Sequence, residues 1–197
     1  MTKNNQQHFE QLQQQLIAAG YVAEKNTLSA AKGNIFAFLI TLPIIIPLIF
    51  LYQWNYGYAF QIFDEILSLL LLFTLFIFSI FIHEFLHGIT WASQCKNGWQ
   101  SIKFGILWRS FTPYCHCKEI LSYRSYVIGG AMPFLILGLF VTILGLLIGH
   151  NIVFWFGIWS ILAAGGDLLI LFMLRRHKHG GIVDHPSEIG YVAFLKK

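Results

Sequence analysis

The chain has 197 residues, of which 56% are hydrophobic and only 11% charged, with a mean hydropathy of +0.63. A water-soluble domain carries roughly 25% charged residues, so this composition excludes an ordinary soluble globule and predicts a multi-pass protein of the cell membrane. The formal charge of +4 does not point to nucleic acid, because the basic residues lie between apolar runs, where they report topology.

In chain order, the first thirty residues are polar and Gln-rich, without the central apolar stretch of a cleavable signal peptide. Within them Phe9, Leu12 and Leu16 share one face of a short amphipathic helix that Gly20 can cap, lying on the membrane surface or on the protein. Residues 1–33 are read as a cytoplasmic N-terminal segment, 34–175 as a transmembrane core and 176–197 as a cytoplasmic tail.

Four runs approach the roughly 20 apolar residues a helix needs to cross a bilayer: about 35–52, 66–91, 127–148 and 152–174. The expected fold is therefore all-α, a polytopic membrane protein with four transmembrane helices. Pro43 and Pro47 fall inside the first span, which neighbouring helices can tolerate. Lys and Arg are confined to the segment before the first span, the loop between the second and third, and the segment after the fourth. The positive-inside rule then places both termini and the central loop in the cytoplasm.

In the central loop, Ile102, Phe104, Ile106 and Trp108 alternate with Lys103, Gly105, Leu107 and Arg109. A period of two predicts a strand, and with the turn signal at Thr112-Pro113 a short membrane-associated β-hairpin. Three cysteines, Cys95, Cys115 and Cys117, are too few and too odd in number for a disulfide scaffold. Cys115, His116 and Cys117 form an incomplete donor set, and His177 and His179 beside Arg175, Arg176 and Lys178 fit a lipid-headgroup contact. Gly145 and Gly149 form a G-x-x-x-G helix-packing signal.

The second span ends in His83-Glu84-Phe85-Leu86-His87. On a helix, positions i and i+4 share a face, so both imidazoles can hold one Zn²⁺ while Glu84 reaches a water beside it. Polar groups at membrane depth cost about 2.5–3.5 kcal/mol each even on lenient insertion scales, and a metal supplies the compensating partner. A catalytic zinc takes three protein ligands. The extended motif with a third His fails, because position 93 is Ser. His116 and Glu119 in the loop remain alternatives, but Asp167 matches the depth. It lies about 12 Å from the basic end of its span, and His83 and His87 lie about 12 and 6 Å from Trp91, at 1.5 Å per residue. Ala163, Ala164, Gly165 and Gly166 give that span a slim, closely packing surface. The chemistry expected of such a site is zinc-dependent hydrolysis, with Glu84 as the catalytic base that takes a proton from water and passes it to the leaving amine.

These residues resemble the site-2 protease group of intramembrane zinc metalloproteases, with H-E-x-x-H near the cytoplasmic end of one span and an Asp from a later span. The chain is more closely similar to a bacterial family of zincin peptidases catalogued as a domain of unknown function, echoed by "HEFLHG", "TPYCHCKE", "MPF", "GGDLL" and "DHPSEIGY" over roughly residues 80–191. The resemblance implies metal ligands at His83, His87 and Asp167, a catalytic Glu84, Zn²⁺ as cofactor, and a hairpin that presents an edge to an extended substrate. The expected partners are the lipid bilayer and a membrane-protein or peptide substrate, with no nucleic acid. Reading the same motif as part of an ion pathway makes the protein a metal transporter or sensor; reading it as inactive makes it a scaffold.

Overall fold

The computed structural model describes residues 3–57, 60–61, 65–107, 112–185 and 189–196. Two long helices come first, α2 (Ala30–Tyr56) and α3 (Ile66–Ala92), preceded by α1 (Lys3–Ala18) and the strand β1 (Tyr21–Leu28). Then come β2 (Ile102–Leu107), β3 (Thr112–Cys117), β4 (Leu121–Ser122) and a helical stretch of α4 (Tyr123–Pro133), a π-helical segment (Phe134–Phe140) and α5 (Val141–Ile148). The chain closes with α6 (Asn151–Ala163), α7 (Gly165–Leu174), β5 (Gly181–Asp184) and β6 (Ile189–Lys196).

Three helical stretches, 31–56, 66–92 and 123–148, are long and apolar enough to cross a membrane, and the bent pair α6–α7 is a fourth if taken as one span. Their outer faces carry side chains that no soluble protein leaves in water in such numbers: Phe50 is 67% exposed, Trp54 78%, Leu67 77% and Leu147 74%. Inside, Tyr52 stacks on Phe154 at 4.2 Å between ring centroids and Tyr56 donates its hydroxyl to the Leu146 carbonyl at 2.7 Å. α5 and α6 meet through glycine: a Cβ on Gly145 would strike the backbone of Phe154, and one on Gly157 would strike Thr142. Gly145 thus packs as its motif predicts. Gly149 instead ends α5 in a left-handed turn, at φ 65°, with its N–H bonded to the Gly145 carbonyl.

The third span is not uniformly α-helical. Pro133 lacks the N–H that an α-helical hydrogen bond requires, and the seven residues after it take the wider π-helical register. The apolar run 152–174 is divided between two helices, α6 and α7, which bend by 45° at Ala164. The bend follows from packing. Gly165 lies so close to α2 that a Cβ there would sit 2.6 Å from the Ala37 carbonyl oxygen.

An all-α description also misses a four-stranded antiparallel sheet in the order β1-β6-β5-β4. β1 pairs with β6 along its whole length, from Tyr21 opposite Lys196 to Leu28 opposite Ile189. Gly190 is required there: its φ is 136°, and a Cβ would collide with the Asn26 carbonyl. α1 lies on this sheet, with Phe9, Leu12 and Leu16 against Val183, Val192 and Phe194. Burying side chains of this size stabilises the fold by about 1.5–3 kcal/mol each. His177, expected at lipid headgroups, is instead buried, with Nδ1 2.9 Å from the Tyr191 hydroxyl and Nε2 3.0 Å from Glu24.

β2 and β3 form the expected hairpin, with Phe104 opposite Cys115 and Ile106 opposite Pro113. Trp108 and Arg109, read as part of the same strand, lie outside the described residues. The hairpin packs against α3 at Gly88, where a Cβ would overlap the Phe104 ring.

Candidate metal centre

The motif helix α3 brings His83, Glu84 and His87 to the interior of the bundle, with the His83 and His87 ring centroids 5.0 Å apart. The break at Ala164 makes Asp167 the third residue of a new helix, α7, rather than the middle of an old one. Carboxylates are favoured in a first helical turn, where backbone N–H groups lack intrahelical acceptors. The Asp167 carboxylate spans the two imidazoles, with Oδ2 3.0 Å from His83 Nε2 and Oδ1 3.4 Å from His87 Nε2.

Donor atoms of His83, His87 and Asp167 all lie within 4.8 Å of one another, and no other such group of three occurs among the described residues. The side chains are 13%, 5% and 24% exposed, so the three are shielded from bulk solvent. His87 Nδ1 donates to the Gly129 carbonyl at 2.8 Å, which leaves the Nε2 lone pair, on the Asp167 side, to bind a metal. The His87 ring also stacks on Trp91 at 5.0 Å and 15°. Two imidazole nitrogens and one carboxylate oxygen are a donor set that suits Zn²⁺ with a position left open.

His83 and Glu84 line a cavity of about 190 Å³ together with Phe76, Ser79, Leu137 and Ser160, among others. A second cavity, of about 360 Å³, runs along the hairpin and is lined by Phe81, Glu84, Phe85, Phe104, Pro113 and Tyr114, among others. Glu84 and Pro113 border both. The Glu84 carboxylate faces the backbone N–H of Cys115. Strand pairing explains that contact. Lys118 N–H donates to the Ser101 carbonyl, and Pro113 has no N–H to give, so residues 113, 115 and 117 turn their polar backbone away from β2. β3 therefore presents its unpaired edge on the side of α3.

The alternative third donors lie elsewhere. Glu119 is engaged by the backbone N–H groups of Lys96 and Asn97 at 2.9 and 3.0 Å, by the Asn97 side chain and by the Ser101 hydroxyl. His116 faces Asp184, with Nδ1 3.6 Å from Oδ2. Alternation along β3 puts His116 on the face opposite Cys115 and Cys117, so these three do not converge on one ion. Cys117 instead lies beside Cys95, Sγ to Sγ 3.1 Å. Burial pushes the Cys95 thiol pKa upward, as it does that of Cys117. The carbonyl of Gly129 and the amide of Cys115 were not foreseen as site groups, because backbone atoms leave no residue-type signal.

No curated protein and no solved structure matches the chain. The family described as "Putative zincin peptidase" matches residues 76–181, from the helix that carries the histidines past the aspartate to the start of β5. That name implies zinc, which the donor set fits. With more than half of its length matched, and with the two-histidine, one-aspartate cluster inside the match, the chain belongs to the zincin peptidase family so described.

Proposed function

We propose that the protein is an intramembrane zinc metalloprotease, related to site-2 proteases, that hydrolyses peptide bonds of membrane-protein segments near the cytoplasmic face. The observation that carries this reading is the convergence of His83, His87 and Asp167 beside Glu84, with His83 and Glu84 lining a cavity among apolar helices. His83, His87 and Asp167 would hold the zinc, which supplies Lewis acidity toward water and a substrate carbonyl. Glu84 accepts the proton from the attacking water on its carboxylate and delivers it to the departing amine. The backbone N–H of Cys115 faces that carboxylate. An extended substrate alongside the outer edge of β3 would pass Glu84, between the inner cavity and the hairpin cavity. Both termini and the hairpin lie on the cytoplasmic side in this reading, following the distribution of Lys and Arg.

The test is cleavage of a reconstituted library of transmembrane segments by wild type and Glu84→Gln, with metal content measured in both. Cleavage that disappears in the variant while zinc stays bound supports the proposal. Equal cleavage by both, or Zn²⁺ flux across proteoliposomes that survives Glu84→Gln, would replace it with another chemistry or with transport.

A further inference from the structure

Asp184 ends β5, where it pairs with Tyr191 of β6, and its side chain is 19% exposed. Its carboxylate meets two other elements. Oδ1 accepts the Tyr126 hydroxyl from α4, and Oδ2 faces His116 Nδ1 from β3 at 3.6 Å. That separation is too long for a hydrogen bond, and His116 Nδ1 is a buried nitrogen without a hydrogen-bond partner. Both ring-bearing residues are almost fully buried, at 3% for Tyr126 and 5% for His116. A carboxylate in such surroundings loses hydration and persists where it satisfies specific groups.

What those groups do next is informative. Tyr126 precedes Gly129 by one helical turn, and Gly129 supplies the carbonyl that orients His87. The Tyr126 carbonyl also accepts the Trp91 indole N–H at 3.4 Å, and Trp91 is the ring stacked on His87. His116 follows Cys115, whose amide faces the Glu84 carboxylate. One carboxylate on a tail strand thus bonds Tyr126, on the helix that supplies the Gly129 carbonyl to His87, and faces His116, the residue after Cys115 on β3.

We infer that Asp184 is a positioning residue for the metal centre, setting the His87 geometry through Tyr126 on α4 without touching a metal donor itself. The inference rests on the metal-centre reading above and extends it to the C-terminal sheet, beyond the matched stretch of the family. Outer-shell partners of metal ligands change metal affinity by about 10–100-fold, which sets the size of the effect.

The experiment uses the purified full chain in detergent, with Co²⁺ as a visible-absorbing substitute for zinc, titrated against a competing chelator. Asp184→Ala should raise the Co²⁺ dissociation constant about 10–100-fold and alter the visible d–d bands. Asp184→Asn keeps an acceptor for the Tyr126 hydroxyl and should recover most of the affinity. Tyr126→Phe removes that one hydroxyl and should produce a smaller loss in the same direction, which keeps the test intact if Asp184→Ala does not fold. Wild-type affinity and bands in Tyr126→Phe and in any folded Asp184 variant, even with a lower melting temperature, would make the contact a sheet tether only and overturn the inference. A wild-type chain that takes up no Co²⁺ would overturn the metal-centre reading itself, and this inference with it.

Discussion

His83 Nε2 and Asp167 Oδ2 lie 3.0 Å apart although 84 residues separate them in the chain. With His87 they form one compact donor group, so purified protein should carry about one zinc, as a mononuclear site implies. His87→Ala and Asp167→Asn should each reduce bound metal severalfold or more, read by atomic emission on folded protein. Undiminished zinc in Asp167→Asn would remove Asp167 from the donor set.

Glu84 sits between the donor group and the hairpin, bordering both cavities. Its replacement by Gln keeps size and hydrogen bonding but cannot take up the proton. Turnover should fall by about 10²–10⁴-fold, the contribution expected of a general base, with zinc content unchanged. A loss of metal in this variant would make Glu84 part of the binding site rather than the base.

The α5–α6 contact offers a stability test away from the site. Gly145 and Gly157 each leave no room for a Cβ against the backbone of the opposing helix. Gly157→Leu must push the helices apart and should destabilise the fold by about 1–3 kcal/mol, the usual cost of overpacking. Reversible unfolding in mixed detergent would measure it. A change of the outward-facing residue Leu147, 74% exposed, to Ala should be nearly silent by comparison.

Glu119 closes the turn after α3. Partial desolvation acts to raise its pKa, but hydrogen bonds from Ser101, Lys96 N–H and Asn97 N–H outweigh it and hold the carboxyl below its ordinary value. A depressed folded-state pKa means that the ionised cap stabilises the turn above the unfolded Glu value, about 4.3, and that this is lost as pH falls through the folded value. Hydrogen exchange corrected for intrinsic rates should show Lys96 and Asn97 amides protected at neutral pH and released in acid. Glu119→Ala should remove that protection at neutral pH, and protection independent of both pH and Glu119 would refute the cap.

How far the sequence reaches is clearest at particular residues. The period of 3.6 on α3 puts His83 and His87 on one face, and their position near the basic end of an apolar run marks a depth that Asp167 shares. Alternation from Ile102 to Leu107 announces the hairpin, because local periodicity survives into the fold. The sheet of β1 and β6 had no such signal: Tyr21–Leu28 is a short, mixed stretch whose partner lies at the other end of the chain. Its pairing is decided by non-local contact, which propensity does not carry.

The amino-acid sequence by itself determined that this is a protein of long apolar helices with a histidine-glutamate motif near the end of one of them, because composition and helical period are local properties. Only the tertiary structure decided the rest. Gly165 packs closely on α2 at the break between α6 and α7, which puts Asp167 at a helix start. The approach of α4 brings the Gly129 carbonyl to His87, and the outer edge of β3 brings the Cys115 amide to Glu84. Backbone groups are identical at every residue, so which of them reaches a site depends on where the chain has been folded.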